Sequence, residues 1–124
     1  MPTTEQKLAV VHAYVAAFEA GSVHAAAALF ADNATVEDPI GTPIKSGRDE
    51  IHAFYATSMA TGAKLELTGD PRFAGDYVAF AFQVKLHWGG QDNVIEVIDT
   101  FRLDDDGKII EMRAYWGPEN MKAR

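Results

Sequence analysis

The spacing of apolar residues changes period in the middle of this chain, and that change restricts its fold more than any other feature. Up to about Met59 the pattern is mostly helical, with a period near 3.6; beyond it, apolar and polar residues alternate. Thr3-Thr4-Glu5-Gln6 has the spacing of a capping box, with Thr3 as N-cap and Gln6 three residues on. Leu8, Val11, Val15 and Phe18 then share one helical stripe with Tyr14 beside them, and Gly21 supplies a C-terminal stop. Ser22 caps a second, alanine-rich helix from Val23 to about Phe30, ended by Asp32-Asn33. A short extended piece, Ala34–Asp38, stops at Pro39, because proline disfavours helix at the residue before it. After a loop over Ile40–Gly47, Ser46 caps a third helix carrying Ile51, Phe54, Tyr55 and Met59.

The second half reads as strands. Lys64–Thr68 and Arg72–Ala74 are short ones around Gly69-Asp70-Pro71, whereas Tyr77–Trp88, Val94–Leu103 and Lys108–Trp116 are long. Gly89-Gly90-Gln91-Asp92 and Asp104-Asp105-Asp106-Gly107 are the hairpin turns between them. Helices followed by a meander of strands predict an α+β chain, with one curved antiparallel sheet wrapped by the three N-terminal helices. At 124 residues, with no linker or repeat, a single domain over 1–124 is expected.

Composition removes whole classes of function. The chain has no cysteine, which excludes disulfides, thiolate nucleophiles and cysteine metal ligands and fits a reducing, cytoplasmic setting. Its formal charge is −7 with no basic cluster, so neither nucleic acid nor an anionic membrane is an expected partner. The first residues lack the order of a secretory signal, and no apolar run has the length of a membrane span. His12, His24, His52 and His87 show no ligand spacing, so no metal is expected. Asp104-Asp105-Asp106-Gly107 lacks the periodicity and closing Glu of a calcium loop. No phosphate-cradling glycine motif or Gly-x-Ser-x-Gly is present. Any chemistry falls to Asp, Glu, His, Tyr, Ser or Lys.

One residue breaks the alternation. A face of Tyr77–Trp88 reads Val78, Phe80, Phe82, Val84, Leu86, Trp88, and one of Val94–Leu103 reads Ile95, Val97, Asp99, Phe101, Leu103. Asp99 is the single polar position on that second face. Desolvation among large apolar groups would push its carboxyl toward the neutral acid, and a neutral acid can donate a strong hydrogen bond to a developing oxyanion. A bulge turning Asp99 to solvent, or backbone N–H groups satisfying it, are the bland alternatives. Asp38 ends its extended piece on the same face as Val36, where loops and pockets meet, although Asp-Pro is also a common turn starter. Tyr14 lies on an apolar stripe, so its hydroxyl needs a partner inside.

These three residues fall together in a resemblance. Ala34-Thr35-Val36-Glu37-Asp38-Pro39 with Gly41 and Gly47, Val97-Ile98-Asp99 with Phe101-Arg102, and Met112-Arg113-Ala114 closely resemble the ketosteroid isomerases (steroid Δ5-isomerases). Tyr14 and Phe54-Tyr55 match as well, and the likeness runs nearly end to end. It implies the nuclear transport factor 2-like cone with an apolar cavity, no cofactor, a small steroid substrate, and a homodimer through the outer sheet face around Ile98 and Tyr115. It also implies roles: Asp38 as general base, Tyr14 and Asp99 as oxyanion donors, and Tyr55 as hydrogen-bond partner of Tyr14. That the second acid stays neutral at pH 7 is a known property of that family, not something the spacing shows.

Cavity walls are expected from Phe54, from Phe82, Val84, Leu86 and Trp88, from Val97 and Phe101, and from Met112, Ala114 and Trp116. One departure stands out: Phe30 occupies the position where some members carry a third tyrosine. Two other readings keep a cavity but change its use. A polyketide cyclase or dehydratase would do other chemistry in the same cone; the related epoxide hydrolases use an Asp-Arg-Asp grouping, and no Arg shares the face of Asp99. A binding or transport module would not need three polar groups converging in an apolar pocket.

Overall fold

A computed structural model describes residues 1–124. Helix α1 (Thr4–Ala20) starts as its spacing predicts: the Gln6 N–H donates to Thr3 Oγ1 at 3.0 Å, and the Thr3 N–H donates to Gln6 Oε1 at 2.8 Å. Such a cap contributes about 1 kcal/mol. The helix turns Val11, Tyr14, Ala17 and Phe18 inward and ends at Gly21. Helix α2 (Val23–Ala27) is capped by Ser22 through the Ala25 N–H. It stops short of the expected Phe30, because Phe30 is drawn into strand β1 (Phe30–Glu37), opposite Ile109. The Ile109 N–H donates to Leu29 O at 2.9 Å, closing that junction. A register shift between Phe30 and Thr35 leaves Asp32 and Asn33 exposed, so β1 is longer than Ala34–Asp38 and irregular in its first half.

The expected loop after Pro39 contains a short strand, β2 (Lys45–Ser46), which pairs with Thr35 and Val36. Helix α3 (Gly47–Ala60) begins after Ser46, but the Ser46 hydroxyl makes no capping bond. Its N–H donates instead to Glu50 Oε1 at 2.8 Å. The remaining strands are β3 (Lys64–Leu67), β4 (Arg72–Ala74), β5 (Tyr77–Trp88), β6 (Gln91–Leu103), β7 (Ile109–Tyr115) and β8 (Met121–Ala123), the last preceded by a 3-10 turn at Pro118–Asn120. The β5–β6 turn is tighter than four residues. Gly89 and Gly90, with φ of 65° and 79°, form it alone, and Gln91 and Asp92 belong to β6.

The sheet order is β2-β1-β7-β6-β5-β3, with β4 also on β5 and β8 on β6. The predicted all-antiparallel sheet needs one correction: β1 and β7 run parallel. The chain between them includes α3 and the whole meander, the kind of long crossover a parallel pair requires. The other strand pairs are antiparallel. Along one edge of β6, β7 covers Ile98–Leu103 and β8 covers Asn93–Ile95. The sheet curves without closing, and α1 and α3 lie against its inner face. The core there joins Val11, Tyr14 and Phe18 of α1 to Ile51 and Tyr55 of α3 and to Val78, Phe80 and Phe101 of the hairpin. No helix is long and apolar enough to cross a membrane.

Candidate active site

Strand pairing brings the two aspartates to one cavity. Asp99, mid-strand in β6, stands opposite Phe80 of β5 on one side and Ala114 of β7 on the other. Asp38 directly follows Glu37, whose register partner in the parallel pair is Arg113 of β7. The two residues are therefore separated laterally by β7 alone. The loop carrying Asp38 is pinned: Ile40 N–H donates to Ala114 O at 2.9 Å, and Gly41 N–H donates to Glu37 Oε2 at 2.8 Å. Glu37 also lies 3.5 Å from the Arg113 guanidinium. From the helical side, Tyr14 of α1 and Tyr55 of α3 meet at a 3.0 Å hydroxyl–hydroxyl bond. Tyr14, Asp38, Tyr55 and Asp99 line the same cavity of about 320 Å³.

The two carboxylates have different surroundings. Asp99 is 1% exposed, and neither of its oxygens has a hydrogen-bond partner. Burial drives its pKa well above the ordinary carboxylate value, and the charge of Asp38 pushes the same way. The bulge and backbone-satisfied alternatives are thereby removed: the alternation holds through Asp99, and no N–H reaches it. Asp38 is half-buried, and Trp116 Nε1–H donates to its Oδ1 at 2.9 Å. Burial raises the Asp38 pKa too, while the indole bond opposes the rise by favouring the carboxylate. Tyr14 and Tyr55 are both pushed well above the usual phenol value, chiefly by burial. When Tyr14 donates into the cavity, Tyr55 is the donor within the pair. Phe30 packs against Tyr55 at a tilt, ring centroids 5.6 Å apart, and offers no hydroxyl, so Tyr14 is the sole polar partner of Tyr55.

The walls agree in part with the alternation. Phe54, Phe82, Val84, Leu86, Trp88, Val97 and Trp116 line the cavity. Trp88 sits at its outer end, 58% exposed beside the hairpin turn. Phe101, Met112 and Ala114, expected as walls, lie instead in closed core at 0% exposure and do not line the cavity. Tyr14 is the reason for Phe101. Its ring meets Phe101 edge-to-face at 5.0 Å and Phe80 edge-to-face at 6.3 Å, closing the inner face at Phe101. Residues not expected from the sequence complete the wall: Phe18 from α1, Thr57 and Ser58 near the end of α3, Thr61 and Ala63 just after it, Leu65 from β3, Ile95 from β6 and Met121 from β8. The Trp116 hydrogen bond was also missed, although an indole N–H in an apolar setting signals the need for an acceptor. No arginine, lysine or histidine lines the cavity, and no three His, Asp or Glu side chains converge as metal ligands would.

Together these groups bring two carboxyls and two phenol hydroxyls into one apolar enclosure. The family model of the SnoaL-like domain matches residues 11–112. A steroid Delta-isomerase of Nocardioides simplex is 41% identical over 119 residues, which is 96% of this chain and 95% of that protein. Epoxide hydrolase LasB of Streptomyces lasalocidi is 30% identical over 94% of this chain, which spans 43% of LasB. Among solved structures, SalBIII, an epoxide hydrolase/cyclase-like enzyme described as having a role in pyran ring formation in the polyether salinomycin, aligns over 100% of both chains with a TM-score of 0.93 at 25% identity.

Proposed function

The chain belongs to the ketosteroid isomerase family within the SnoaL-like domains and is an isomerase; from that premise we propose that it converts 3-oxo-Δ5-steroids to 3-oxo-Δ4-steroids. The observation that carries the reading is the pair of unpartnered oxygens on Asp99, buried in the wall of a cavity that also holds Tyr14 and Asp38. An orphaned buried carboxyl costs stability, on the order of 1–3 kcal/mol, and is retained where a ligand oxygen completes it.

In this reading the Asp38 carboxylate removes a proton from C4, and the electrons move toward the C3 carbonyl. The intermediate is a dienolate with its negative charge on the C3 oxygen. Tyr14 and the neutral acid Asp99 donate to that oxygen, and both bonds strengthen as charge develops. Asp38 then returns the proton at C6, so the catalyst ends in its starting protonation state. Tyr55 donates to Tyr14 and holds its hydroxyl toward the substrate. The apolar walls exclude water from a flat hydrocarbon, and they also keep Asp99 neutral. No metal or cofactor takes part. We also propose a homodimer through the outer sheet face, where Ile98 and Tyr115 are exposed at 49% and 48%.

The epoxide hydrolase relatives do not displace this reading. Their likeness is lower and, for LasB, confined to part of that protein, and no arginine joins the two aspartates in the cavity. The test is ultraviolet absorbance: purified protein mixed with a 3-oxo-Δ5-steroid should produce growing absorbance of the conjugated enone. No growth above the uncatalysed rate overturns the proposal.

A further inference from the structure

The outer end of the cavity is built from a strip of sheet with little support. Asp99 of β6 stands opposite Phe80 of β5, and Trp88 lies further along β5 by about 26 Å of strand. The pairing of β3 with β5 ends at Lys64 and Lys85, so beyond Lys85 the strand has only β6 beside it. A two-stranded ribbon of this kind is marginal by itself. One backbone bond, from the His87 N–H to the Thr61 carbonyl at 3.0 Å, ties its free edge to the residue after α3. Trp88 nevertheless lines the cavity while 58% exposed, so its placement decides where the wall ends.

The inner face of β6 carries two buried polar side chains in opposite circumstances. Asn93, 3% exposed, shares that face with Ile95, Val97 and Asp99. Asp99 has no hydrogen-bond partner, which leaves it for a ligand. Asn93 has three bonds: its Nδ2 donates to Trp88 O at 3.0 Å and to Gln91 O at 3.3 Å, and its Oδ1 accepts from Gln91 Nε2 at 3.1 Å. Trp88 and Gln91 are the register pair that closes the two-glycine turn, so the carboxamide bridges the base of that turn. The Asn93 backbone is paired with Ala123 of β8, and its carbonyl accepts from Arg124 Nε at 3.3 Å. Asn93 thus fastens the turn to β8, whose Met121 lines the same cavity, although Asn93 itself does not line it.

We propose that Asn93 is a positioning residue that holds Trp88 at the outer end of the cavity, so that the steroid hydrocarbon meets a wall already ordered. This rests on the isomerase reading above and deepens it. A ligand that must order a loose indole as it binds loses a factor of roughly two to ten in affinity. Asn93 has no part in moving the C4 proton. The loss is the same in ground and transition states, so it acts on KM and leaves kcat and its pH profile alone.

The experiment is a double-mutant cycle of Asn93→Ala and Trp88→Ala, read by kinetics on a 3-oxo-Δ5-steroid and by equilibrium binding of its 3-oxo-Δ4 product. With Trp88 present, Asn93→Ala should raise KM and the product Kd by about two- to tenfold at unchanged kcat. With Trp88→Ala in place, it should add less than about twofold. Trp88 and Trp116 are the two tryptophans of the chain, so in a Trp116→Phe background fluorescence anisotropy reports Trp88 alone. Asn93→Ala should lower that anisotropy in the folded protein. An unchanged KM, whatever the loss of thermal stability, shows that Asn93 serves the turn alone and overturns the proposal. An unchanged anisotropy, or an equal rise in KM with and without Trp88, overturns it as well. If Asn93→Ala does not fold, Asn93→Thr, which keeps one donor hydrogen and suits a strand, is read by the same criteria. If wild type binds the product but turns over no steroid, the isomerase reading fails and the binding arm of the cycle still decides Asn93. Absence of product binding to wild type overturns both.

Discussion

Asp38 and Asp99 are the same side chain set in two different regions of one cavity. Asp99 sits mid-strand, walled by Phe80 and Ala114, with no donor within reach. Asp38 sits where β1 gives way to a pinned loop, half-buried, with an indole N–H on one oxygen. Burial raises both acids, but only Asp38 has a hydrogen bond that offsets it. The lesson is that position in the sheet gives the two acids different environments. A strand centre can remove every partner from a carboxyl and so keep its proton, whereas a strand end leaves room for a donor and an ionised base.

Exchanging chemistry at the strand end should have the largest effect. Asp38→Asn keeps the shape and the acceptor for Trp116 but removes the base. Turnover of a 3-oxo-Δ5-steroid should fall by about 10²–10⁴-fold, with circular dichroism and thermal unfolding little changed. Near-normal turnover would break the comparison, because Asp38 would then be no base.

Asp99→Leu tests the strand centre, with a smaller loss and an opposite effect on stability. Removing one oxyanion donor should lower kcat by about 10²–10³-fold. The orphaned carboxyl disappears from an apolar face, so the folded state should gain on the order of 1–3 kcal/mol. The pH dependence has a definite sign. The folded-state pKa of Asp99 is raised, so the folded protein holds this proton after the unfolded chain has released it near pH 4. Wild-type stability is therefore full below that pH and declines as pH rises toward the folded pKa. The leucine variant lacks this decline, so its advantage in chemical denaturation should widen from pH 4 to pH 8. A constant gap would mean that Asp99 is not held neutral by the fold.

The same contrast explains what the sequence disclosed. Asp99 was legible because alternation makes a lone acid on an apolar face conspicuous, and Tyr14 because its helical stripe is apolar. Asp38 was not legible from its neighbours alone, since any Asp-Pro starts turns; the resemblance singled it out. Alternation gives the face of a strand and not the depth at which a helix crosses it. Phe101, Met112 and Ala114 are thus expected in the cavity although all three are closed into the core, Phe101 by the Tyr14 ring of α1. The parallel pairing of β1 with β7 is non-local and has no signal in either strand, yet it is what sets Asp38 beside Trp116. Ser58 was hidden because a polar residue late in an amphipathic helix ordinarily faces water.

Trp116→Phe should have the smallest effect and sharpen the contrast most. It retains an aromatic wall and deletes only the N–H that donates to Asp38 Oδ1 at 2.9 Å. That bond favours the ionised base, so its loss moves the Asp38 pKa further in the direction burial already drives it. Losing a hydrogen bond to the charged form favours the protonated acid, and water entering at the half-buried loop would offset part of that loss. In the pH profile of kcat/KM, which reports the free enzyme, the acidic limb should move to higher pH. Well above that limb both proteins hold Asp38 as the carboxylate, so their rates should converge to within a few-fold as pH rises. A loss of rate that is the same at every pH would show that the indole only shapes the wall. A displaced limb with a recovered plateau would show that one N–H keeps the strand-end carboxylate a base while its counterpart remains an acid.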